Sequence, residues 1–85
     1  MTTHELKLDI RYFDDVKIGK KNFEIRKNDR DYQVGDILEL KRFDGSDYVV
    51  DVGIYGNQYI PVDKELADTI KVRIKWMSKH LDNYN

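Results

Sequence analysis

Near the start of the chain Leu6, Leu8 and Ile10 alternate with Glu5, Lys7 and Asp9, the period-2 pattern of a half-buried strand. Tyr12, Phe13, Val16 and Ile18 then recur at helical spacing among charged residues, with Gly19 immediately after them. This predicts a short helix over 11–18, closed by a glycine that can turn left-handed. Alternation returns at 22–27, with Phe23 and Ile25 on one face and Asn22, Glu24 and Arg26 on the other. The stretch Val34-Gly35-Asp36 predicts a turn with Gly35 at positive φ. It leads into a strand with Ile37, Glu39 and Lys41 opposite Leu38, Leu40 and Arg42. Asp44-Gly45 and Gly56-Asn57 mark hairpins on either side of Tyr48–Tyr55, so the middle of the chain is expected to be a β-meander. Residues 63–68 predict one helical turn with Asp63 as N-cap and Leu66 packing inward. From Thr69 onward Ile70, Val72, Ile74 and Trp76 oppose Lys71, Arg73 and Lys75, the clearest strand pattern in the chain.

Five to six short strands with one or two short helices predict the α+β class. The expected form is a small mixed β-barrel, or a half-open one capped by helices, since closure removes exposed strand edges. With 85 residues the chain is expected to form a single domain over 1–85 around one modest core. No repeat, low-complexity tract or proline-rich linker divides it; Pro61 is its one proline. The absence of cysteine removes disulfides, thiolate metal sites and a cysteine nucleophile. His4 and His80 by themselves make no metal cluster, so neither metal nor cofactor is expected. The first residues lack a signal peptide's basic and apolar regions, and no apolar run approaches the roughly 20 residues that cross a bilayer. The expected location is cytoplasmic, with no membrane partner.

Charge changes this picture through its distribution. The formal net charge is -1, which excludes a generally basic coat for nucleic acid. Residues 1–30 nevertheless carry eight basic against six acidic side chains, 31–70 three against nine, and 71–85 four against one. Either these are ordinary solvated charges, or the two ends of the chain supply a basic face and its middle an acidic one.

The densest charge lies in Gly19–Arg30, where Lys20, Lys21, Glu24, Arg26, Lys27, Asp29 and Arg30 crowd one predicted strand and its ends. Gly19 permits a tight turn that lets Lys21 project from the start of the strand. Arg26 offers a planar fork for a phosphate or a base edge. Glu24, between two cations on the same face, stays ionised and either steadies them or accepts from a base amino group. Read structurally, the same trio is a salt-bridge lattice on an exposed strand.

The spacing Gly19, Lys21, Glu24, Arg26 fits G-x-K-x-x-E-x-R and resembles the signature of the ASCH domain, a small barrel of the PUA-like superfamily. His4, Leu6, Lys7, Tyr12, Phe13, the Phe23–Arg30 run and Val34–Leu40 extend that resemblance over about residues 4–43, toward a branch of short phage and bacterial proteins. The C-terminal half departs from the pattern, because the chain ends soon after Lys71–Trp76 instead of returning through a further strand. The resemblance implies a cleft suited to RNA or a nucleotide-like ligand at Lys21, Glu24 and Arg26; with Lys20 and Arg30 from the surrounding charge and Tyr59 from the loop-side aromatics, these form the expected ligand set. Lys20, Lys27 and Arg30 are alternatively solvated charges, or a basic rim that steers phosphates.

Other readings remain beside that one. A metal-independent ribonuclease or nucleoside-processing hydrolase would use Lys21, Glu24 and Arg26 as its catalytic residues. The amidohydrolase branch of the family is disfavoured, because Glu24 stands where that branch has threonine and would keep Lys21 protonated. A phage accessory protein that docks a host protein would need those charges only as scaffolding. Among the aromatics, Phe13, Phe23 and Trp76 are expected in the core. Tyr32, Tyr55 and Tyr59, near loops, are expected to be exposed for base stacking. His4 is expected either to reach the cleft or, as one histidine near a chain end, to be incidental.

Overall fold

A computed structural model describes residues 1–19 and 31–74. Strand β1 (Thr3–Asp9) runs into helix α1 (Ile10–Lys17), followed by β2 (Ile37–Phe43), β3 (Val49–Asp51), β4 (Tyr59–Pro61), a single 3-10 turn (Lys64–Leu66) and β5 (Thr69–Arg73). The helix begins where Asp9 caps it: its carboxylate accepts the Arg11 backbone N–H at 2.8 Å and the Arg11 guanidinium at 2.9 and 3.1 Å. That guanidinium, followed by the backbone donor, holds the Asp9 carboxyl below its ordinary range. At the other end Gly19 takes φ +80°, and its N–H reaches the Val16 carbonyl at 3.1 Å. The glycine stop expected from the sequence is therefore present.

β1 lies parallel to β2, pairing His4 with Leu38, Leu6 with Leu40 and Leu8 with Arg42. β5 runs antiparallel on the other side of β2, with Val72 opposite Leu38 and Ile70 opposite Leu40. Side chains in register share a face, so one face carries Leu6, Leu8, Leu38, Leu40, Ile70 and Val72. That face packs with Phe13 and Val16 of α1, Tyr32 and Ile74 into the core. The opposite face alternates charge: Glu39 of β2 pairs with Lys71 of β5 at 3.6 Å.

The expected meander is replaced by two separate sheets. β3 and β4 form an antiparallel hairpin of their own, while β5 passes beyond it to pair with β2. One bridge, Phe43 to Tyr48, joins β2 to β3 across the Asp44–Asp47 turn. Asp44 makes that turn tight, because its carboxylate accepts the N–H groups of Ser46 and Asp47 at 2.8 and 2.7 Å. The predicted strand over Tyr48–Tyr55 stops at Asp51, whose side chain turns back to bind the Gly53 and Gln58 N–H groups at 2.8 and 3.1 Å. An aspartate that satisfies local backbone donors offers the chain an alternative to a longer ladder. A mixed α+β domain results, mostly strands with one helix, and its sheets are not joined into a closed barrel among the described residues.

Three smaller expectations are corrected. The Asp63 side chain makes no capping bond, and Leu66 faces solvent while its neighbour Ala67 is buried. A single 3-10 turn has no helical face to turn inward. Ile18, on the expected apolar face of α1, is exposed because the helix has already ended at Lys17. Phe23 and Trp76 lie outside the described residues, whereas Phe13 is buried as expected. Among the described residues no helix is long and apolar enough to cross a membrane.

The loop between β3 and β4 folds back so closely that a Cβ on Gly53 would overlap the Gly56 carbonyl oxygen and crowd the Gln58 nitrogen. Gly53→Ala is therefore expected to cost about 2 kcal/mol, in the range of steric backbone conflicts. Urea unfolding monitored by Tyr and Trp fluorescence should show the lower midpoint at unchanged slope.

Candidate functional site

Charged residues enter the core at both ends of β2, and strand parity explains why. Arg42 follows Leu38 and Leu40 on the inward face, so its guanidinium must be accommodated where a leucine would sit. It is 3% exposed, and two carboxylates meet it: Nε–H donates to Asp68 at 2.8 Å and Nη2–H to Asp14 of α1 at 3.2 Å. Burial works against the charge, but Asp14 and Asp68 more than offset it, and the guanidinium pKa is raised. The guanidinium carbon lies 4.1 Å from the centre of the Phe13 ring and 5.3 Å from that of Tyr59, a cation held against two aromatic faces. Nη1 is buried and has no hydrogen-bond partner among the described residues.

Asp68 ties this end of the fold together. It accepts from the Asp51 N–H at 2.9 Å as well as from Arg42, its carbonyl accepts the Arg42 N–H at 2.9 Å, and its own N–H donates to Val49 at 3.3 Å. Asp51, bound first by the Gln58 and then by the Gly53 N–H, also feels the charges of Arg42 and Lys17, and its carboxyl lies below the usual range. The β3–β4 hairpin and the last turn of α1 thus share this electrostatic neighbourhood. Gly19, where the chain leaves α1, is two residues beyond Lys17.

At the opposite end of β2 stands a second buried cluster. His4 Nε2 and Asp36 Oδ2 are 2.8 Å apart, and the same carboxylate accepts the Thr2 N–H at 2.9 Å and the Gln33 N–H at 3.0 Å. The Tyr32 ring packs edge-on against the imidazole at 4.8 Å between centroids. Asp36 is 2% exposed, and its partners, His4 before the Thr2 N–H, bring its pKa down to about 2. Two expectations are corrected here. His4 is not incidental but anchors the start of β1, and Tyr32 is buried against it instead of being exposed for stacking. The turn at Gly35, with φ +98°, is what folds Gln33 and Asp36 toward each other.

Of the expected ligand set, Lys20, Lys21, Glu24, Arg26 and Arg30 lie outside the described residues. Tyr59 is described, and it is half-buried beside Arg42. Tyr55 is fully exposed, as expected. Among the described residues no group of three or more His, Asp or Glu is arranged to hold a metal. Sequence reasoning missed Arg42, Asp68 and the His4–Asp36 pair, although the signal was present: a charged or imidazole side chain on the apolar parity of a strand needs a buried partner.

Two comparisons bear on this arrangement. A family model described as "Domain of unknown function (DUF3850)" matches residues 3–84. An Escherichia phage P2 protein, named "Uncharacterized 12.9 kDa protein in GpA 3'region", is 57% identical over 37 residues, 44% of this chain and 34% of that protein. The chain therefore spans about a third of the length of the phage relative it matches.

Proposed function

Given that the chain belongs to the DUF3850 family, we propose that it is an ASCH-like module of the PUA-like type, binding RNA or a nucleotide-like ligand in a cleft framed by Lys21, Glu24 and Arg26. The two sheets belong to a partly open PUA-like barrel in this reading. The observation that carries it is Arg42. Its buried guanidinium lies against the Tyr59 ring and holds the partly exposed carboxylates of Asp14 and Asp68 in place beside that ring, an aromatic face flanked by fixed acceptors that suits a nucleobase. The two carboxylates offer acceptors to amino and imino groups, and the guanidinium positions them. Tyr59 belongs to the ligand set that the sequence pattern suggests.

Fluorescence anisotropy with labelled single-stranded RNA, structured RNA and duplex DNA, at two salt concentrations, tests the reading. The double variant Lys21→Ala/Arg26→Ala is expected to bind RNA about tenfold or more weakly, with a shallower salt dependence, because two phosphate-facing charges are gone. RNA binding that the double variant retains, or its absence in the wild type, overturns the proposal.

A further inference from the structure

The sheet face that turns away from the core sets two lysines side by side. Lys7 of β1 stands across from Lys41 of β2, one strand spacing or about 4.8 Å away along the backbone. Like charges in directly opposed positions repel and destabilise a strand pair. The carboxylates of the same face are engaged elsewhere: Glu5 faces Lys64 at 3.5 Å, Glu39 faces Lys71 at 3.6 Å, and Asp9 is held by Arg11 at 2.9 Å. Neither Lys7 nor Lys41 has an ion-pair partner among the described residues.

Lys41 is the unusual member of the pair. It is 8% exposed, and among the described residues its ammonium donates one hydrogen bond, to the Thr69 hydroxyl at 2.9 Å. That hydroxyl gives its own proton to the Ala67 carbonyl at 3.0 Å, so the partner of Lys41 is neutral. An ammonium carries three donors, and a buried charge ordinarily comes with a counter-charge. Arg42, the next residue along β2 and on its other face, has two carboxylates. One strand thus supplies a buried cation with full compensation and its neighbour with none. Lys7 is exposed, with its Nζ 4.5 Å from the centre of the Phe43 ring and 5.8 Å from that of Tyr48. These half-buried rings pack edge to face at 5.3 Å. Their faces attract the ammonium and hold it in place without neutralising it.

We infer that this face is a phosphate-binding site, in which the exposed Lys7 ammonium contacts the phosphate oxygens and the buried charge of Lys41 adds its field from beneath. A buried charge is screened much less than an exposed one, so Lys41 acts there without touching the ligand. The bound anion supplies the counter-charge that the fold omits. Two adjacent cations match a dianion better than a single carboxylate, and lysine binds phosphate as a point charge. The Phe43 and Tyr48 rings beside Lys7 suit a nucleoside carried by that phosphate. A free mononucleotide and an RNA chain share this chemistry. Because Lys41 and Arg42 project to opposite faces of β2, the site is distinct from the Arg42–Tyr59 arrangement.

Amide proton–nitrogen correlation spectra through a titration with sodium phosphate, at ionic strength held constant with chloride, test the site. Saturating shifts are expected at Lys7, Lys41, Phe43 and Tyr48, with a dissociation constant of roughly 1–10 mM. Lys7→Ala should weaken binding about tenfold and Lys7→Glu should abolish it. Lys41→Met, which keeps the length of the side chain, should also weaken it about tenfold, with the thermal midpoint read in parallel. Lys71→Ala removes a paired lysine from the same face and should change the constant by less than about twofold. Repeating the titration with a 5′-mononucleotide and a short single-stranded RNA separates the sources: a gain with the mononucleotide assigns the rings to a base, and a gain with RNA alone assigns a backbone phosphate. The absence of saturable shifts up to about 50 mM phosphate, shifts that survive Lys7→Glu, or an equal loss in Lys71→Ala overturns the inference. RNA binding by Lys21→Ala/Arg26→Ala is read separately, so either reading can fail while the other stands.

Discussion

Arg42→Ala is expected to lower the unfolding free energy by about 3 kcal/mol, near the lower edge of what breaking a buried ion pair costs. That is a large share of the roughly 5–15 kcal/mol available to a small domain. The loss has three parts: the guanidinium no longer covers Phe13, the Asp14 contact between α1 and β2 disappears, and Asp68 keeps only the Asp51 N–H on the shared oxygen. Arg42→Met is expected to cost about 1 kcal/mol, because an apolar side chain of similar length refills the space and the half-exposed carboxylates of Asp14 and Asp68 hydrate. The comparison separates packing from recognition. Urea unfolding at constant slope should rank wild type above Met above Ala. RNA affinity should fall about tenfold in the well-folded Met variant if the guanidinium positions the Asp14 and Asp68 carboxylates for a ligand. Equal affinity in wild type and the Met variant would leave Arg42 as a structural group alone.

Asp36→Ala is expected to reduce the thermal midpoint by on the order of 10 °C, because the Thr2 N–H, the Gln33 N–H and His4 would all lose their acceptor in a buried site. Its pH counterpart follows from linkage. With a folded pKa of about 2 against an ordinary aspartate value near 3.8, the Asp36 carboxylate stabilises the fold fully above about pH 4. That stabilisation is lost as pH falls from there toward 2. Thermal melts of the wild type should be steep across this interval. Asp36→Asn keeps an acceptor but no titrating group, so it should begin lower and vary less. A wild type and an Asn variant with the same slope below pH 4 would show that other carboxylates govern acid unfolding. Asp9, Asp44 and Asp51 also lie below their ordinary values and supply a background that both proteins share.

The legible parts of the fold were those governed by local physics. Period-2 alternation located β1 and β2 within a residue or two and the start of β5, helical spacing located α1, and Gly19 and Gly35 take the positive φ that their turns require. The hairpin arms were overextended, because Val49–Tyr55 reads as a continuous strand until Asp51 is known to satisfy the Gly53 and Gln58 N–H groups. Tyr32 and Leu66 were misplaced for a related reason: proximity to a loop or a helical turn says nothing about which side chain finds a cavity. Of the expected ligand residues, Tyr59 proved to neighbour Arg42, whose own role was visible only as an anomaly of parity.

Sequence alone determined the class of the protein: a mixed α+β chain without cysteine, mostly strands, with charge spread unevenly along it and densest after Gly19. These features depend on each residue and its near neighbours, so they can be read from the chain in order. Tertiary structure decided that β5 pairs with β2 instead of β4, that Arg42 finds Asp14 and Asp68 across separations of 28 and 26 residues, and that His4 closes on Asp36. Each of these pairings joins groups distant along the chain, and a buried charge is tolerable only where the fold supplies its counter-charge. Their partners are therefore chosen by how the sheets stack and not by local spacing.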